Sequence, residues 1–333
     1  MKKITQCLIL LIIFISVPYG AQAQYDGSGH DVGFSVGPNF SLTDLGGAKK
    51  IGSPFIRDVD FKSTRFCISA FYRYNVNKFF AVRANLMYGM ISADDKNTDG
   101  IAPDQPNGPS DSWYRARRNL NFSTHIVEFQ AMAEVNLKKY MHNQSKGSKE
   151  RWAPYIGGGL GFFYFNPYTK LNGEKVKLRP LGTEGQTIGV KKMYSNFQFD
   201  LIALVGIKYN VTNKFSIALE GIYHQTFTDY LDDVSGNYVN PDQIASLDPT
   251  AQILQNRANT GNYPDNAFNF VEGQKKSDGS LNVGGSGNQR GDSKDNDQFF
   301  HVQLTFSFAI TGKSLGGGGR KNPYNVKFSC PRW

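Results

Sequence analysis

Residues 298–310 read QFFHVQLTFSFAI, and they alternate without a break. Phe300, Val302, Leu304, Phe306, Phe308 and Ile310 share one face, while His301, Gln303, Thr305, Ser307 and Ala309 share the other. Successive side chains of a strand point to opposite sides, so this is a strand with an apolar side and a small polar side. Aromatic and aliphatic residues against polar ones at a period of two are the pattern of a membrane-crossing β-strand. The same pattern recurs upstream. NFQFDLIALVGIKYN sets Phe197, Phe199, Leu201, Ala203, Val205, Ile207 and Tyr209 against Gln198, Asp200 and Lys208. KFSIALEGIYHQTF sets Phe215, Ile217, Leu219 and Tyr223 against Ser216, Glu220 and His224. RFCISAFYRYNV and FFAVRANLMYGM place Arg73, Arg83 and Asn85 opposite apolar rows, and THIVEFQAMAEVNL does the same with Glu128, Gln130 and Glu134. HDVGFSVGPNF and APYIGGGLGFFYF bring the number of strands to eight.

A water-soluble β-sandwich also alternates, so the connections must decide. Strands 2 and 3 join near Asn75 and Lys78, strands 6 and 7 near Asn210 and Lys214, and strands 4 and 5 through KKYMHNQSKGSKERW. The other four connections, roughly residues 42–63, 93–120, 166–195 and 228–297, are long. Strict alternation of short and long connections predicts an all-β fold, an eight-stranded antiparallel transmembrane β-barrel with long extracellular loops. The composition agrees: Phe 25, Tyr 17 and Gly 35 suit strands better than helices, and mean hydropathy is −0.42, with no later apolar run long enough for a membrane helix.

The start, MKKITQCLILLIIFISVPYGAQAQ, has a basic opening, an apolar run and the small-residue site Ala21-Gln22-Ala23. It reads as a secretory signal peptide over residues 1–23, followed by a barrel over residues 24–311 and a tail over residues 312–333. Removing Lys2 and Lys3 lowers the formal net charge from +9 to +7. Cys7 leaves with that segment, and Cys67 and Cys330 are too few for a disulfide framework.

Eight strands leave an interior just wide enough for side chains to fill. Parity therefore predicts a lumen charge network in which Arg73, Arg83 and Lys208 face Glu128, Glu134, Asp200 and Glu220. The barrel is expected to be plugged rather than a pore. Glu128 and Glu134 could do acid/base chemistry, but mutual neutralisation with the cations is the simpler role. Ser123 and His125 share the outward face without a carboxylate to complete a triad, so no enzyme is expected. Asp229, Asp232 and Asp233 do not have calcium-loop spacing. They are expected to be a solvated loop base, with calcium as the alternative. The glycines of YIGGGLGFFYF lack a following helix, so they predict close approach of a neighbour rather than a phosphate loop. No Cys/His metal cluster and no nucleic-acid surface is evident, and no cofactor is expected. The Asn-, Gly- and Asp-rich segment from about residue 256 to 298 reads as mobile.

FYRYNVNKFFAVRANLMYG, RRNLNFSTHIVEFQ, APYIGGGLGFFYFNP, LGTEGQ and YHQTFTDYLDDVSGNYVNP resemble the PorG-like family of outer-membrane β-barrels of the type IX secretion system. The resemblance runs from about Val32 to Asn240 and over the last strand. It implies a non-enzymatic component of protein secretion, and in some bacteria of gliding. Its implied partners are a periplasmic ring of a PorK/GldK-type lipoprotein and a PorN/GldN-type protein, besides outer-membrane lipid. The alternative is a surface receptor or structural barrel acting through its extracellular loops.

An even strand number puts both ends of the mature chain in the periplasm. The tail, with Lys313, Arg320, Lys321, Lys327 and Arg332, then carries five cations and no acid. Arg320, Lys321, Tyr324, Phe328 and Trp333 are candidate partner-binding anchors, and Cys330 a candidate for an intermolecular disulfide. Cys67 starts strand 2 at the opposite end, too far for an internal bridge.

Overall fold

The computed structural model describes residues 29–45, 61–77, 79–97, 118–137, 152–212, 214–255, 257 and 290–310. Among the described residues nine strands form: β1 (Gly29–Leu42), β2 (Arg65–Asn75), β3 (Phe80–Asp94), β4 (Asn121–Asn136), β5 (Trp152–Leu171), β6 (Glu174–Lys177), β7 (Phe197–Asn210), β8 (Phe215–Thr226) and β9 (Gln298–Ile310). All except β6 close into one antiparallel barrel, β1-β2-β3-β4-β5-β7-β8-β9, with β9 pairing back onto β1. Closure removes the sheet edge, which hydrocarbon does not tolerate.

The side chains follow the parity of the sequence. In β9, His301, Gln303, Thr305 and Ser307 are buried inside while Leu304 and Phe308 are exposed outside. Leu160, Phe199 and Val205 are 59%, 59% and 62% exposed on the same outer surface. Buried Arg73, Glu128, Asp200 and Glu220 lie inside. Apolar outside and charged inside is the inverse of a water-soluble barrel.

Local side chains set the short turns. Asn77 Oδ1 accepts from the amides of Phe79 and Phe80 at 2.8 and 2.9 Å, tightening the β2–β3 turn. Thr212 Oγ1 does the same for Lys214 and Phe215 at 3.2 and 3.0 Å between β7 and β8. Both are side-chain mimics of a backbone turn.

At the opposite end two expectations need correction. The connection expected over 166–195 is partly strand, because β5 runs on to Leu171 and folds back as β6. The reversal is Asn172-Gly173, with φ of 52° and 88°, the left-handed pair that a two-residue hairpin needs. The connection over 228–297 is also partly built. It carries α1 (Pro241–Ile244) and α2 (Pro249–Gln255), and its far arm is anchored at both ends, with Arg290, Gly291 and Asp297 buried and residues 293–296 exposed between them. Of the segment expected to be mobile, Arg290, Gly291 and Asp297 are held in the protein interior; residues 258–289 lie outside the described residues.

The segment read as a signal peptide and the tail bearing Arg320, Lys321, Tyr324, Phe328, Cys330 and Trp333 also lie outside the described residues. Cys67 is buried in the lumen, its Sγ 3.5 Å from the Gly37 carbonyl.

Candidate functional site

The charged lumen residues divide into two groups at different heights. Near the short-turn end, Arg73 Nε lies 2.9 Å from Glu134 Oε2, and its guanidinium reaches Glu220 at 3.7 Å and Asp31 at 3.8 Å. Arg83 bridges the same two glutamates, 3.2 Å from Glu134 and 2.7 Å from Glu220. Gln303 and Thr305 donate to Glu220 Oε2 at 2.7 and 2.9 Å, and the Tyr155 hydroxyl donates to Glu220 Oε1. Lys208 Nζ lies over the Tyr155 ring, 5.4 Å from its centroid. Gly206 makes room for that tyrosine: a Cβ there would lie 2.6 Å from Tyr155 Cζ. Arg73, Arg83 and Lys208 thus stand with Asp31, Glu134 and Glu220, so this half of the lumen is neutral. Sequence reasoning missed Asp31, which alternation assigns inward, and Tyr155, an uncharged side chain whose hydroxyl joins the network only through Glu220.

Glu128 and Asp200 do not join these arginines. They sit higher, with His224 Nδ1 3.3 Å from Glu128 Oε1 and 2.6 Å from Asp200 Oδ2, all three fully buried. The single network expected from parity is two clusters, because Glu128 and Glu134 are six residues apart on β4, about 20 Å at about 3.3 Å per residue.

Above the lumen, apolar side chains close the barrel. Leu231 packs with Phe163, Phe165, Phe299, Ile91 and Ile126 in one buried cluster. Four connections then lock together over it. Arg118 makes a two-pronged contact with Asp95 at 2.8 and 2.9 Å and donates to the carbonyls of Asp44 and Arg290 at 2.9 and 2.5 Å. Arg290 in turn donates to Glu184 Oε1 at 3.0 Å and the Asp233 carbonyl at 2.8 Å. Glu184 also accepts from Lys191 at 2.5 Å and from the amides of Ser235 and Gly236 at 2.9 and 3.2 Å. Burial disfavours the Glu184 carboxylate, but Arg290 and Lys191 outweigh it and hold the group below its usual range.

The aspartates expected to form a solvated loop base are buried instead. Asp233 accepts from Thr183 at 2.6 Å and Tyr194 at 2.7 Å, and Asp232 from the amides of Leu45 and Val234 at 3.0 and 2.9 Å. Asp232 and Asp233 are thus committed to protein donors, whereas neither carboxylate oxygen of buried Asp229 has a hydrogen-bond partner. Burial, reinforced by Asp44, pushes Asp232 up to about 8 and Asp229 up to about 9; burial raises Asp233 to about 6 despite Arg290. Outside the barrel, His125 Nδ1 is 2.9 Å from the Tyr88 hydroxyl, and the ring stacks on Tyr88 and Tyr168 at 6.0 and 5.4 Å. It belongs to an outward aromatic row.

A closed eight-stranded barrel with an apolar exterior and a charge-filled interior defines an outer-membrane barrel protein. Residues 7–270 match the family described as outer membrane protein beta-barrel domain, and the chain belongs to that family. The protein is accordingly placed in the outer membrane. No curated protein matches the chain. Among solved structures it is similar to Neisserial surface protein A, at 10% identity and a TM-score of 0.35 over 85% of this chain and 98% of that one. It is similar also to Ail of Yersinia pestis, at 9% identity and 0.34 over 85% and 99%. The outer membrane protein OprG of Pseudomonas aeruginosa gives 9% and 0.34 over 87% and 100%.

Proposed function

We propose that this protein is a non-enzymatic outer-membrane anchor of a type IX protein secretion machinery, holding a periplasmic ring against the membrane. The observation that carries the reading is the filled interior. Arg73, Arg83, Glu134 and Glu220 cross-brace the lumen, and Arg118 and Arg290 tie the long loops over its mouth. A sealed barrel offers its rims to partners rather than a conduit. The family assignment is to outer-membrane barrels generally; the secretion role comes from the likeness of FYRYNVNKFFAVRANLMYG and YHQTFTDYLDDVSGNYVNP to PorG-like barrels. In this reading both termini are periplasmic after removal of the signal segment. The tail docks through Arg320, Lys321, Tyr324, Phe328 and Trp333, and Cys330 links to a PorK/GldK-type lipoprotein or its PorN/GldN-type partner.

The test is a non-reducing gel of native outer membranes, wild type beside Cys330→Ser, together with co-purification from cells lacking residues 313–333. The reading expects a high-mass species that disappears on reduction and in Cys330→Ser, and loss of the ring proteins on truncation. A single monomer band with unchanged ring recovery overturns the docking role. A second reading, a surface receptor, draws on the built outer cap with α1 and α2. It is favoured if deleting residues 241–289 abolishes a surface phenotype while secretion persists.

A further inference from the structure

Three strands of the barrel deliver Glu128, Asp200 and His224 to one point in the upper lumen, all fully buried. β5 separates β4 from β7, and its lumen-facing Gly161 is the register partner of Asp200 and lies diagonally from Glu128, whose own partner on β5 is Phe163. A Cβ on Gly161 would fall 2.0 Å from Asp200 Oδ1 and 2.2 Å from Glu128 Oε1, so the missing side chain is what admits both carboxylates. One donor atom from each of the three residues lies within 4.8 Å of the other two.

The protein leaves this cluster unfinished. Glu128 Oε2, Asp200 Oδ1 and His224 Nε2 have no hydrogen-bond partner, and neither ring nitrogen of His301, stacked 5.2 Å from His224, has one. With both carboxylates ionised, the cluster carries a net negative charge even when the imidazole is protonated. Buried charge without compensation is costly, and buried polar atoms are nearly always paired.

We propose that Glu128, Asp200 and His224 form a structural site for a first-row transition dication of the zinc class. A dication with two carboxylates and a neutral imidazole is locally neutral and engages the free lone pairs. The nitrogen in the set favours a zinc-class ion over magnesium or calcium. Ligands at about 2.0–2.1 Å in a tetrahedron stand about 3.3 Å apart, so the donors need only small adjustments. Water takes the fourth position. Phe299 stacks on His224 at 4.1 Å and 8° and fixes the plane of the ligand ring. Complete burial makes this a staple across β4, β7 and β8 rather than a reaction centre. It stands whether or not the secretion reading does.

The experiment measures metal in protein purified from native outer membranes and dialysed against chelator. The expected result is roughly one zinc-class ion per chain, lost in Glu128→Gln, His224→Gln and Gly161→Ala. Because these variants can misfold, wild-type protein is also refolded into lipid vesicles with Co²⁺ or with EDTA. Refolding with Co²⁺ should give the visible absorption bands of a tetrahedral nitrogen–oxygen site and a higher unfolding temperature than the EDTA sample. Native protein without transition metal overturns the site. So does metal that persists in all three variants, or Co²⁺ refolding with neither bands nor a thermal shift.

Discussion

Arg73→Met is the most informative single change in the lumen. Arg73 is fully buried, and its guanidinium faces Glu134 at 2.9 Å, Glu220 at 3.7 Å and Asp31 at 3.8 Å. With an effective dielectric of about 20, each contact is worth about 4–6 kcal/mol of gross attraction, against which stand desolvation and repulsion from Arg83. Methionine fills much of the arginine volume, so the loss is chiefly electrostatic. Taking one partner from a buried network costs about 3–5 kcal/mol, because the remaining carboxylates keep a charge that nothing cancels. At a guanidinium slope of about 4 kcal/mol per molar, the unfolding midpoint of the vesicle-inserted barrel should fall by about 1 M. Arg73→Met with Glu134→Gln restores neutrality and leaves Arg83 its 2.7 Å contact with Glu220. The double variant should therefore be more stable than the two single losses added together, by a coupling energy of about 2 kcal/mol. A midpoint within about 0.2 M of wild type for Arg73→Met, or strict additivity in the cycle, would refute the view that charge pairing holds this lumen together.

Two further outcomes test the packing and the outer cap. Gly206→Val forces a side chain onto Tyr155, pushing its hydroxyl off Glu220; overpacking of this kind costs about 1–3 kcal/mol, and the same titration should show it, while Gly221→Val, whose Cβ meets only Val205 at 3.6 Å, should be tolerated. The cap should loosen with rising pH. Asp232 and Asp229 hold their protons to about 8 and about 9 in the folded cap against 3.8 as the ordinary value, so between these limits the folded form binds more protons and stability falls as pH rises. Tryptic cleavage after Arg290 should therefore accelerate from pH 7 to pH 9 by more than that of an unfolded control peptide, and equal acceleration of both would count against buried, protonated aspartates.

Several features were legible because they are local. Alternation in residues 298–310 needs only neighbouring residues, and it assigned Arg73, Glu128 and Asp200 to the inside correctly. The Asn172-Gly173 reversal is equally local, but the four-residue β6 after it, Glu174–Lys177, is too short and too charged for alternation to mark it as a strand. The aspartates at 229, 232 and 233 misled for a different reason. What buries them comes from elsewhere in the chain: Leu45 donates to Asp232 and Thr183 to Asp233. The metal-like trio was hidden in the same way, since its members lie on three strands with no motif spacing between them.

The sequence by itself determined the strands, their two faces and the short turns, because backbone geometry repeats every two residues and turns are fixed by adjacent side chains. Only the tertiary structure decided which inward charges meet. Closure and stagger of the eight strands send Glu134 to Arg73 and Glu128 to His224, and they bring Arg290 to Glu184 across a separation of 106 residues. Parity assigns a residue to a face, whereas its height within the barrel, and hence its partner, depends on registers summed around the whole sheet.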